Sequence, residues 1–256
     1  MKSILITGAA SGIGAAIATR FAIEGFRLVL VDNDGDRLSA VVEATGLGPD
    51  RVHAACFDIA DEGAWKALET VIIDRYGGLD FAVANAGISA AGSIAETDFD
   101  AWRTVMAVNL DGTFLTLRTA FRLIRQKGEG GSIVAMSSAS AIKAQPNTAA
   151  YSASKAAIVQ LVKVAALEGA PDQIRVNAIL PAGVETPMWS KMAFFQELVV
   201  EHGSERGAFD ALAAMGTPLK AYAKPDQVAE MVVFLTSTAA STMTGASLVV
   251  DGGYTL

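Results

Sequence analysis

The fold is decided by the stretch Ile4-Leu5-Ile6-Thr7-Gly8-Ala9-Ala10-Ser11-Gly12-Ile13-Gly14, in which an apolar run enters a glycine-rich turn and then a helical pattern. The glycines stand at positions 8, 12 and 14, so the strict Gly-x-Gly-x-x-Gly spacing of dinucleotide-binding turns is absent. Glycine still permits a tight turn and a close backbone approach to phosphate, and a helix that begins near Gly12 points free N–H groups at such an anion. The stretch therefore predicts a phosphate-binding turn, and the alternative is an ordinary glycine-rich connection. The residues expected to bind the cofactor here are Gly8, Ser11, Gly12, Ile13 and Gly14.

Short apolar runs alternate with helix-length segments along the whole chain. The predicted strands are 3–7, 27–31, 51–57, 79–84, 132–136, 175–180 and 247–250, and the predicted helices are 12–24, 37–44, 62–76, 99–126, 149–167 and 225–236. Several runs show little polar alternation, which is typical of strands buried on both faces of a parallel sheet. The pattern predicts an α/β fold, a single doubly wound Rossmann-type domain over residues 1–256 with a seven-stranded parallel sheet and helices on both faces.

One segment, residues 188–222, breaks this alternation because it lies between the sixth and seventh predicted strands and has no strand of its own. Insertions of this kind often close over substrates, so the segment is predicted to be a substrate lid. The apolar side chains that would cover a largely nonpolar substrate are Met188, Trp189, Met192, Phe194, Phe195 and Met215. The alternative is that many of them form the core of amphipathic lid helices.

The composition argues against several classes of function. The net charge is -7 and no basic run occurs, so neither nucleic acid nor an anionic membrane is an expected partner. Cys56 is the only cysteine, which excludes an intrachain disulfide and fits a reducing cytoplasm. No apolar run reaches the length of a secretory core or a membrane-spanning helix. His53 and His202 stand apart from carboxylate and cysteine clusters, so no metal site is expected.

Asp32 follows the second predicted strand and lies 18 positions after Gly14. An acidic group at that point accepts hydrogen bonds from the adenosine ribose hydroxyls and repels a 2′-phosphate. The nearest downstream base is Arg37, so the sequence favours NAD over NADP. The alternative for an aspartate here is a helix cap, which suits Asp34 better than Asp32.

Tyr151 and Lys155 lie four residues apart in a helical segment and so share one face of that helix. A free tyrosine has a pKa of about 10, and a nearby ammonium would lower that pKa enough for the phenol to exchange a proton with an alcohol or ketone. Ser138 follows the fifth strand, where its hydroxyl would face the substrate oxygen. Without this context, a tyrosine and lysine at this spacing usually mark a solvated helix face.

Motifs along nearly the whole chain resemble those of the short-chain dehydrogenase/reductase family, in its compact single-domain branch. The matching residues are the turn from Thr7 to Gly14, Asp58-Ile59, Asn85-Ala86-Gly87, Asn109, the set of Ser138, Tyr151 and Lys155, and Asp251-Gly252-Gly253. Each motif alone is modest, but the six occur in the family's order.

The resemblance implies a role for each matching residue. Asn109, Ser138, Tyr151 and Lys155 would be catalytic, with Asn109 holding a water that links Lys155 to solvent as a proton relay. Lys155 would also bind the nicotinamide ribose, whereas Asp58 and Ile59 would contact adenine. The motif of Asn85, Ala86 and Gly87 would line the cofactor channel. The family further implies a small-molecule alcohol or ketone as substrate and a homotetramer as the assembly.

The stretch Pro181-Ala182-Gly183-Val184-Glu185-Thr186-Pro187 departs from the family pattern, because the family usually has Pro-Gly where Pro181-Ala182 stand. Ala182 requires a backbone that avoids the φ values which only glycine tolerates, and it leaves the local shape of the pocket open. Pro181, Val184 and Thr186 still resemble residues of the nicotinamide site. Gln145, Met188 and Trp189 are further candidates for substrate binding beside Ser138 and Tyr151.

Three functions fit these features. The favoured one is an NAD-dependent oxidoreductase that interconverts a secondary alcohol and a ketone, with Tyr151 as acid and base. The first alternative is an NADP-dependent carbonyl reductase. The second is a nonenzymatic dinucleotide-binding redox sensor, although a sensor has no need of a proton relay.

Overall fold

Apolar runs of four to eight residues form the strands, and the segments between them form the helices. The computed structural model describes the backbone of residues 1–256 and every side chain except that of Lys191. The strands are β1 Ser3–Thr7, β2 Arg27–Asp32, β3 Val52–Cys56, β4 Phe81–Ala84, β5 Gly131–Met136, β6 Ile174–Pro181 and β7 Ser247–Val250. The helices are α1 Gly12–Ile23, α2 Gly35–Thr45, α3 Glu62–Tyr76, α4 Phe99–Met106, α5 Gly112–Lys127, α6 Ala149–Gly169, α7 Ala193–His202, α8 Glu205–Gly216 and α9 Pro225–Thr236.

The strands pair in parallel in the order β3-β2-β1-β4-β5-β6-β7. The chain builds β1, β2 and β3 toward one edge and then returns to place β4 beside β1, so the strand order reverses between these two strands. At such a reversal the following loops diverge and leave a crevice at the carboxyl ends of the strands. The predicted doubly wound, seven-stranded sheet is confirmed, and its crevice lies beyond Thr7 and Ala84.

Two hydrophobic cores cover the two faces of the sheet, because successive strand residues point to opposite sides. Leu5 of β1 packs with α3, α5 and α6 through residues such as Trp65. Ile4 and Ile6 pack on the other side with α1 and α9, where Val228 lies. Each fully buried large apolar side chain contributes about 1.5–3 kcal/mol relative to an exposed one. These two cores hold the crevice edge of the sheet in place.

The segment predicted as one helix over residues 99–126 contains a wider turn. Helix α4 continues directly into a π-helical turn, Ala107–Asp111, which continues directly into α5. The apolar pattern does not reveal such a turn, because the helix continues on both sides of it. π-helical turns are rare in proteins, and those that do occur are often found at functional sites. Asn109 lies at the centre of this turn and is completely buried.

Helix α2 begins two residues earlier than the pattern predicted, at Gly35. The Asp34 carboxylate accepts a hydrogen bond of 3.0 Å from the Arg37 backbone N–H and caps the helix. This confirms the interpretation of Asp34 as a cap and leaves Asp32 free of that role.

The insertion between β6 and α9 contains a short 3-10 turn, Trp189–Lys191, followed by α7 and α8. Its described residues form no strand. Phe195, Ala208 and Phe209 make a small buried cluster of their own, separate from the two cores beside the sheet. The insertion is therefore packed largely on itself, and its role as a substrate lid stays a prediction.

Candidate active site

The turn after β1 brings two stretches of backbone so close together that only glycine fits. A Cβ on Gly14 would lie 1.9 Å from the Gly8 carbonyl oxygen, and Gly8 itself has a φ of +65°. The Asn85 side chain fixes the turn by donating to the Thr7 and Gly8 carbonyls at 3.0 and 3.2 Å. The amino end of α1 has no acidic residue in its first turn and no cap hydrogen bond from the Ser11 side chain. Its N–H groups and positive dipole end are thus available to an anion.

Asp32 is held rigidly beside this turn at the end of β2. One carboxylate oxygen accepts from the Ala10 N–H at 2.9 Å, and the other accepts from the Asp34 N–H at 3.1 Å. The Arg37 guanidinium lies 3.4 Å from the Asp34 carboxylate, so the nearest downstream base is paired with another acid. The negative charge of Asp32 therefore borders the crevice, and Arg37 does not neutralise it because Arg37 pairs with Asp34.

Thr7 links the turn to the loop after β4, a role for its side chain that the sequence analysis did not predict. Its hydroxyl accepts hydrogen bonds from the Asn85 and Ala86 N–H groups at 3.0 and 3.2 Å. Gly87 follows, and a Cβ there would lie 3.2 Å from Lys155 Nζ and 3.3 Å from Asn109 Oδ1. The motif after β4 therefore borders the predicted catalytic residues. A polar side chain at the last position of a buried strand was the signal for Thr7.

Asp58 and Ile59 lie at the carboxyl end of β3, but their side chains are already engaged. Asp58 accepts from the Ala60 N–H at 2.9 Å. The Ile59 side chain is buried beneath Gly112, where an added Cβ would come within 2.5 Å of it, and its carbonyl accepts from the Trp65 indole N–H at 2.8 Å. Their contact with adenine stays a prediction, and Ile59 has little free side-chain surface for it.

The loop after β6 reaches across to the glycine turn after β1. A Cβ on Gly12 would lie 3.2 Å from the Thr186 methyl group, so these two residues face each other. Pro181 ends β6, and Ala182 donates its N–H to Val250 at 3.2 Å with a φ outside the left-handed region. The expected backbone at Ala182 is therefore found. The position in this loop that requires glycine is the next one, Gly183, where an added Cβ would lie 2.5 Å from the Tyr222 ring.

The structure brings Ser138, Tyr151 and Lys155 together at the carboxyl end of β5. Lys155 Nζ lies 5.6 Å from the centre of the Tyr151 ring and donates to the Met136 carbonyl at 2.9 Å. Ser138 is buried, and its hydroxyl accepts from the Ser140 N–H at 3.1 Å. Ser137 anchors α6 to this strand end by donating to the Lys155 carbonyl at 2.8 Å. One strand end therefore positions both the predicted acid and its neighbouring amine.

The charges of this cluster differ from the sequence expectation in one respect. Burial lowers the pKa of Lys155 to about 8, because the ammonium loses its hydration. Burial also raises the pKa of Tyr151, and a hydrogen bond with the Ser138 side chain acts in the opposite direction. The expected lowering of the Tyr151 pKa is therefore wrong for this structure, because desolvation of the phenolate outweighs the hydrogen bond with Ser138.

Asn109 enters the cluster from the π-helical turn. Its Oδ1 accepts from the Ile88 N–H at 2.8 Å, and its Nδ2 donates to the Ile88 carbonyl at 2.9 Å and to Ser154 Oγ at 3.0 Å. Sequence reasoning missed Ser154, although a serine inside an alanine-rich helix is an unusual polar residue on a buried face. The water-binding role of Asn109 stays a prediction.

The three candidate substrate residues are placed differently from one another. The Trp189 indole stacks on Tyr222 with ring centres 5.7 Å apart and donates to the Val184 carbonyl at 2.9 Å. It therefore belongs largely to the aromatic packing of the insertion, as the alternative interpretation had it. Gln145 donates to the Tyr254 hydroxyl near the carboxyl terminus, a partner that the sequence did not indicate. Met188 is partly exposed.

Two further findings concern the described residues only. No helix among them combines the length and the apolar content needed to cross a membrane. Their His, Cys, Asp and Glu side chains form no group of three or more that could hold a metal ion.

Comparison with known proteins adds to this geometry. The family model described as enoyl-(acyl carrier protein) reductase matches residues 8–255. A trans-4-hydroxycyclohexanecarboxylate dehydrogenase of Sinomonas cyclohexanicum is 35% identical over 260 residues, which cover 99% of this chain and 93% of that protein. An NADP-dependent (R)-specific alcohol dehydrogenase of Lentilactobacillus kefiri is 32% identical over 256 residues, 99% and 96% of the two chains. The crystal structure of carveol dehydrogenase from Mycobacterium avium in complex with NAD has a TM-score of 0.90 at 30% identity and covers 99% of this chain and 97% of that one.

Proposed function

This chain belongs to the short-chain dehydrogenase/reductase family of oxidoreductases, and on that premise we propose that it interconverts a secondary alcohol and a ketone with NAD. The observation that carries the proposal is the convergence of Ser138, Tyr151 and Lys155 at one strand end. That strand end lies at the same edge of the sheet as the glycine turn. A chain that only bound a dinucleotide would need the turn but not this cluster.

The described residues fit a dinucleotide. The free N–H groups at the start of α1 suit the pyrophosphate of the cofactor. Because Gly8 and Gly14 approach each other closely and have no side chains, the turn presents backbone atoms to that pyrophosphate. Asp32 suits the adenosine ribose, because both of its oxygens are oriented by backbone N–H groups. A bound nicotinamide supplies the acceptor or donor of the hydride. Val184, Thr186 and Lys155 are the residues that would hold that end of the cofactor.

Tyr151 exchanges the proton that accompanies the hydride. In the ligand-free chain its raised pKa keeps the phenol protonated, which suits proton donation to a ketone oxygen. Ser138 donates a hydrogen bond to the same substrate oxygen and stabilises negative charge that develops there. In the direction of alcohol oxidation, the phenol must first lose its proton, and the neighbouring Lys155 ammonium favours that loss below a pH of about 8.

A substitution of Tyr151 tests the proposal. Tyr151→Phe removes only the hydroxyl, so kcat on secondary alcohols with NAD should fall about 10³-fold while the Kd of NADH stays within about twofold. Tyr76→Phe is the matched control, because the Tyr76 hydroxyl is buried without a hydrogen-bond partner at the far end of α3. Absorbance of NADH measures turnover. Full turnover by Tyr151→Phe contradicts the assignment, and NADH binding without any turnover by the unmodified chain favours the sensor alternative.

The choice between NAD and NADP depends on Asp32. Its carboxylate would lie against a 2′-phosphate, so kcat/KM should be at least about tenfold higher with NAD. The NADP-dependent relative from Lentilactobacillus kefiri makes the second cofactor a real alternative. Steady-state rates with both cofactors decide between them, and a higher kcat/KM with NADP contradicts the role given to Asp32.

We also propose a cytoplasmic homotetramer. Exposed apolar side chains on three neighbouring helices, Phe99 of α4, Phe114 of α5 and Leu167 of α6, support association between chains. Light scattering at micromolar concentration measures the assembly, and a monomer would contradict it.

A further inference from the structure

Ser154 is a buried hydroxyl that the proposed reaction does not use. It lies on α6 between Tyr151 and Lys155, and no part of its surface is exposed. A serine has no intrinsic advantage inside a helix, where its hydroxyl competes with backbone hydrogen bonds. Its partners therefore decide whether it has more than a packing role.

The hydroxyl joins two of the predicted catalytic residues. Ser154 Oγ donates to the Tyr151 carbonyl at 2.7 Å and accepts from Asn109 Nδ2 at 3.0 Å. The second hydrogen of the Asn109 amide goes to the Ile88 carbonyl at 2.9 Å, and its oxygen accepts from the Ile88 N–H at 2.8 Å. Both hydrogens of the amide are thus used, and the one hydrogen of the serine is used as well.

This pattern fixes the orientation of the Asn109 side chain. A flipped amide would set its oxygen against the Ile88 carbonyl and its nitrogen against the Ile88 N–H, and both contacts are repulsive. Ser154 supplies the contact from α6, whereas Ile88 supplies the contacts from the loop after β4. The amide therefore ties three separate parts of the chain together.

The place of this contact in the fold gives it consequences for the reaction. Asn109 is the central residue of the π-helical turn, which a straight α-helix could replace if nothing opposed it. Asn109 Oδ1 and Lys155 Nζ also border the same narrow space beside Gly87, at 3.3 and 3.2 Å from the position of an added Cβ. A shift of the amide would change the surroundings of the Lys155 ammonium directly.

We infer that Ser154 is a positioning residue, which holds the Asn109 amide and the π-helical turn in register with Lys155 and Tyr151. The inference rests on the proposed function for its effect on turnover. The position of the Asn109 amide and of the π-helical turn, in contrast, can be measured in the cofactor-free chain. Removal of the hydroxyl leaves a buried Asn109 N–H without a partner, and the turn then relaxes to satisfy it.

Ser154→Ala is the test, and Ser152→Ala on the same helix is the matched control. The Ser152 hydroxyl bonds to Thr148 at 2.8 Å and contacts none of the catalytic residues through a hydrogen bond. We expect Ser154→Ala to lower kcat about tenfold with little change in KM for the alcohol. The midpoint of its pH profile of kcat/KM in alcohol oxidation should move to higher pH. The reason is that a displaced Asn109 amide changes the surroundings of the Lys155 ammonium, which then stabilises the Tyr151 phenolate less. Ser154→Thr keeps the hydroxyl, so its kcat and the midpoint of its pH profile should be close to those of the unmodified chain. Ser152→Ala should change neither kcat nor the midpoint.

A second measurement is independent of turnover. Amide hydrogen exchange of the cofactor-free protein should become faster at Ile88 and at residues 107–112 in Ser154→Ala, and should stay unchanged there in Ser152→Ala. Unaltered exchange, or an unaltered pH profile in an active enzyme, overturns the inference. If the unmodified chain turns over no alcohol or ketone, the proposed function fails while the exchange data alone decide the role of Ser154. If Ser154→Ala does not fold, Ser154→Thr is compared instead with Ser154→Cys, whose sulfur is only a weak acceptor for the Asn109 N–H.

Discussion

The proposed catalytic centre of Asn109, Ser138, Tyr151 and Lys155 contrasts with the insertion of residues 188–222. In the centre, buried polar groups are fixed by hydrogen bonds to the loop after β4, to the end of β5 and to α6, as the contacts of Asn109 and Lys155 illustrate. In the insertion, an aromatic cluster around Phe195 packs on itself. Well-connected polar groups specify one geometry, whereas a small separate core allows local opening. We therefore expect substitutions at the sheet edge to act on the chemical step, and substitutions in the insertion to act on substrate binding.

The largest expected effect is that of replacing Lys155, which should abolish most of the activity and at the same time stabilise the fold. Lys155→Met should lower kcat about 10³-fold. The same change should raise the free energy of unfolding at pH 7 by about 3 kcal/mol, because the pKa of buried Lys155 falls from 10.5 to about 8. Kinetics and urea titrations measure the two quantities.

The pH dependence of this stability has a definite sign. Below pH 8 the lysine is charged in the folded and unfolded states alike, so the cost of burying the charge is fully present. Between about pH 8 and 10.5 the folded chain loses the proton first, so the unmodified protein becomes more stable as the pH rises. The advantage of Lys155→Met should therefore disappear across this window. An advantage that is constant from pH 7 to 10.5 would show that buried charge is not its cause.

A middle-sized effect tests whether the insertion opens on its own. Phe195→Ala leaves a cavity in the small cluster and should cost about 3–5 kcal/mol of local stability. We expect hydrogen exchange to rise in α7 and α8 but not in the strands, and kcat/KM to fall about tenfold through KM. The neighbouring Phe194→Ala is the control, because that side chain is 47% exposed. A loss of protection throughout the sheet would mean that the two regions unfold as one.

The smallest effect concerns the edge of the insertion nearest the crevice. Met188 follows the loop in which Thr186 faces Gly12, and it is 43% exposed. Met188→Ala should raise KM for a nonpolar ketone about threefold and leave kcat and Tm unchanged. Met215→Ala, at a position that is 75% exposed on α8, should change none of these. Equal KM values for both variants and the unmodified chain would remove Met188 from the substrate site.

Much of the fold was readable from local patterns, and the errors have physical causes. The strands were found because each is a short apolar run, and the turn was found because glycines followed β1. The start of α2 was misplaced because the Asp34 cap begins the helix two residues earlier. The π-helical turn was missed because it depends on contacts that Asn109 makes with Ile88 and Ser154, which are 21 and 45 positions away.

The candidate site divides in the same way. The sequence indicated Tyr151 and Lys155 because four-residue spacing on a helix is a local property. It could not show that Trp189 stacks on Tyr222 or that Tyr254 binds Gln145, since these partners meet only after the chain has folded.

The sequence by itself determined the order of strands and helices, the glycine turn after β1 and the residue types of the proposed catalytic set, because spacing and apolar periodicity are local. Only the tertiary structure decided the sign of the Tyr151 pKa shift, the orientation of the Asn109 amide and the hydrogen-bond partners of Ser154. Burial and hydrogen-bond partners depend on which distant segments come together, and it is the burial of Tyr151 in the folded chain that raises its pKa.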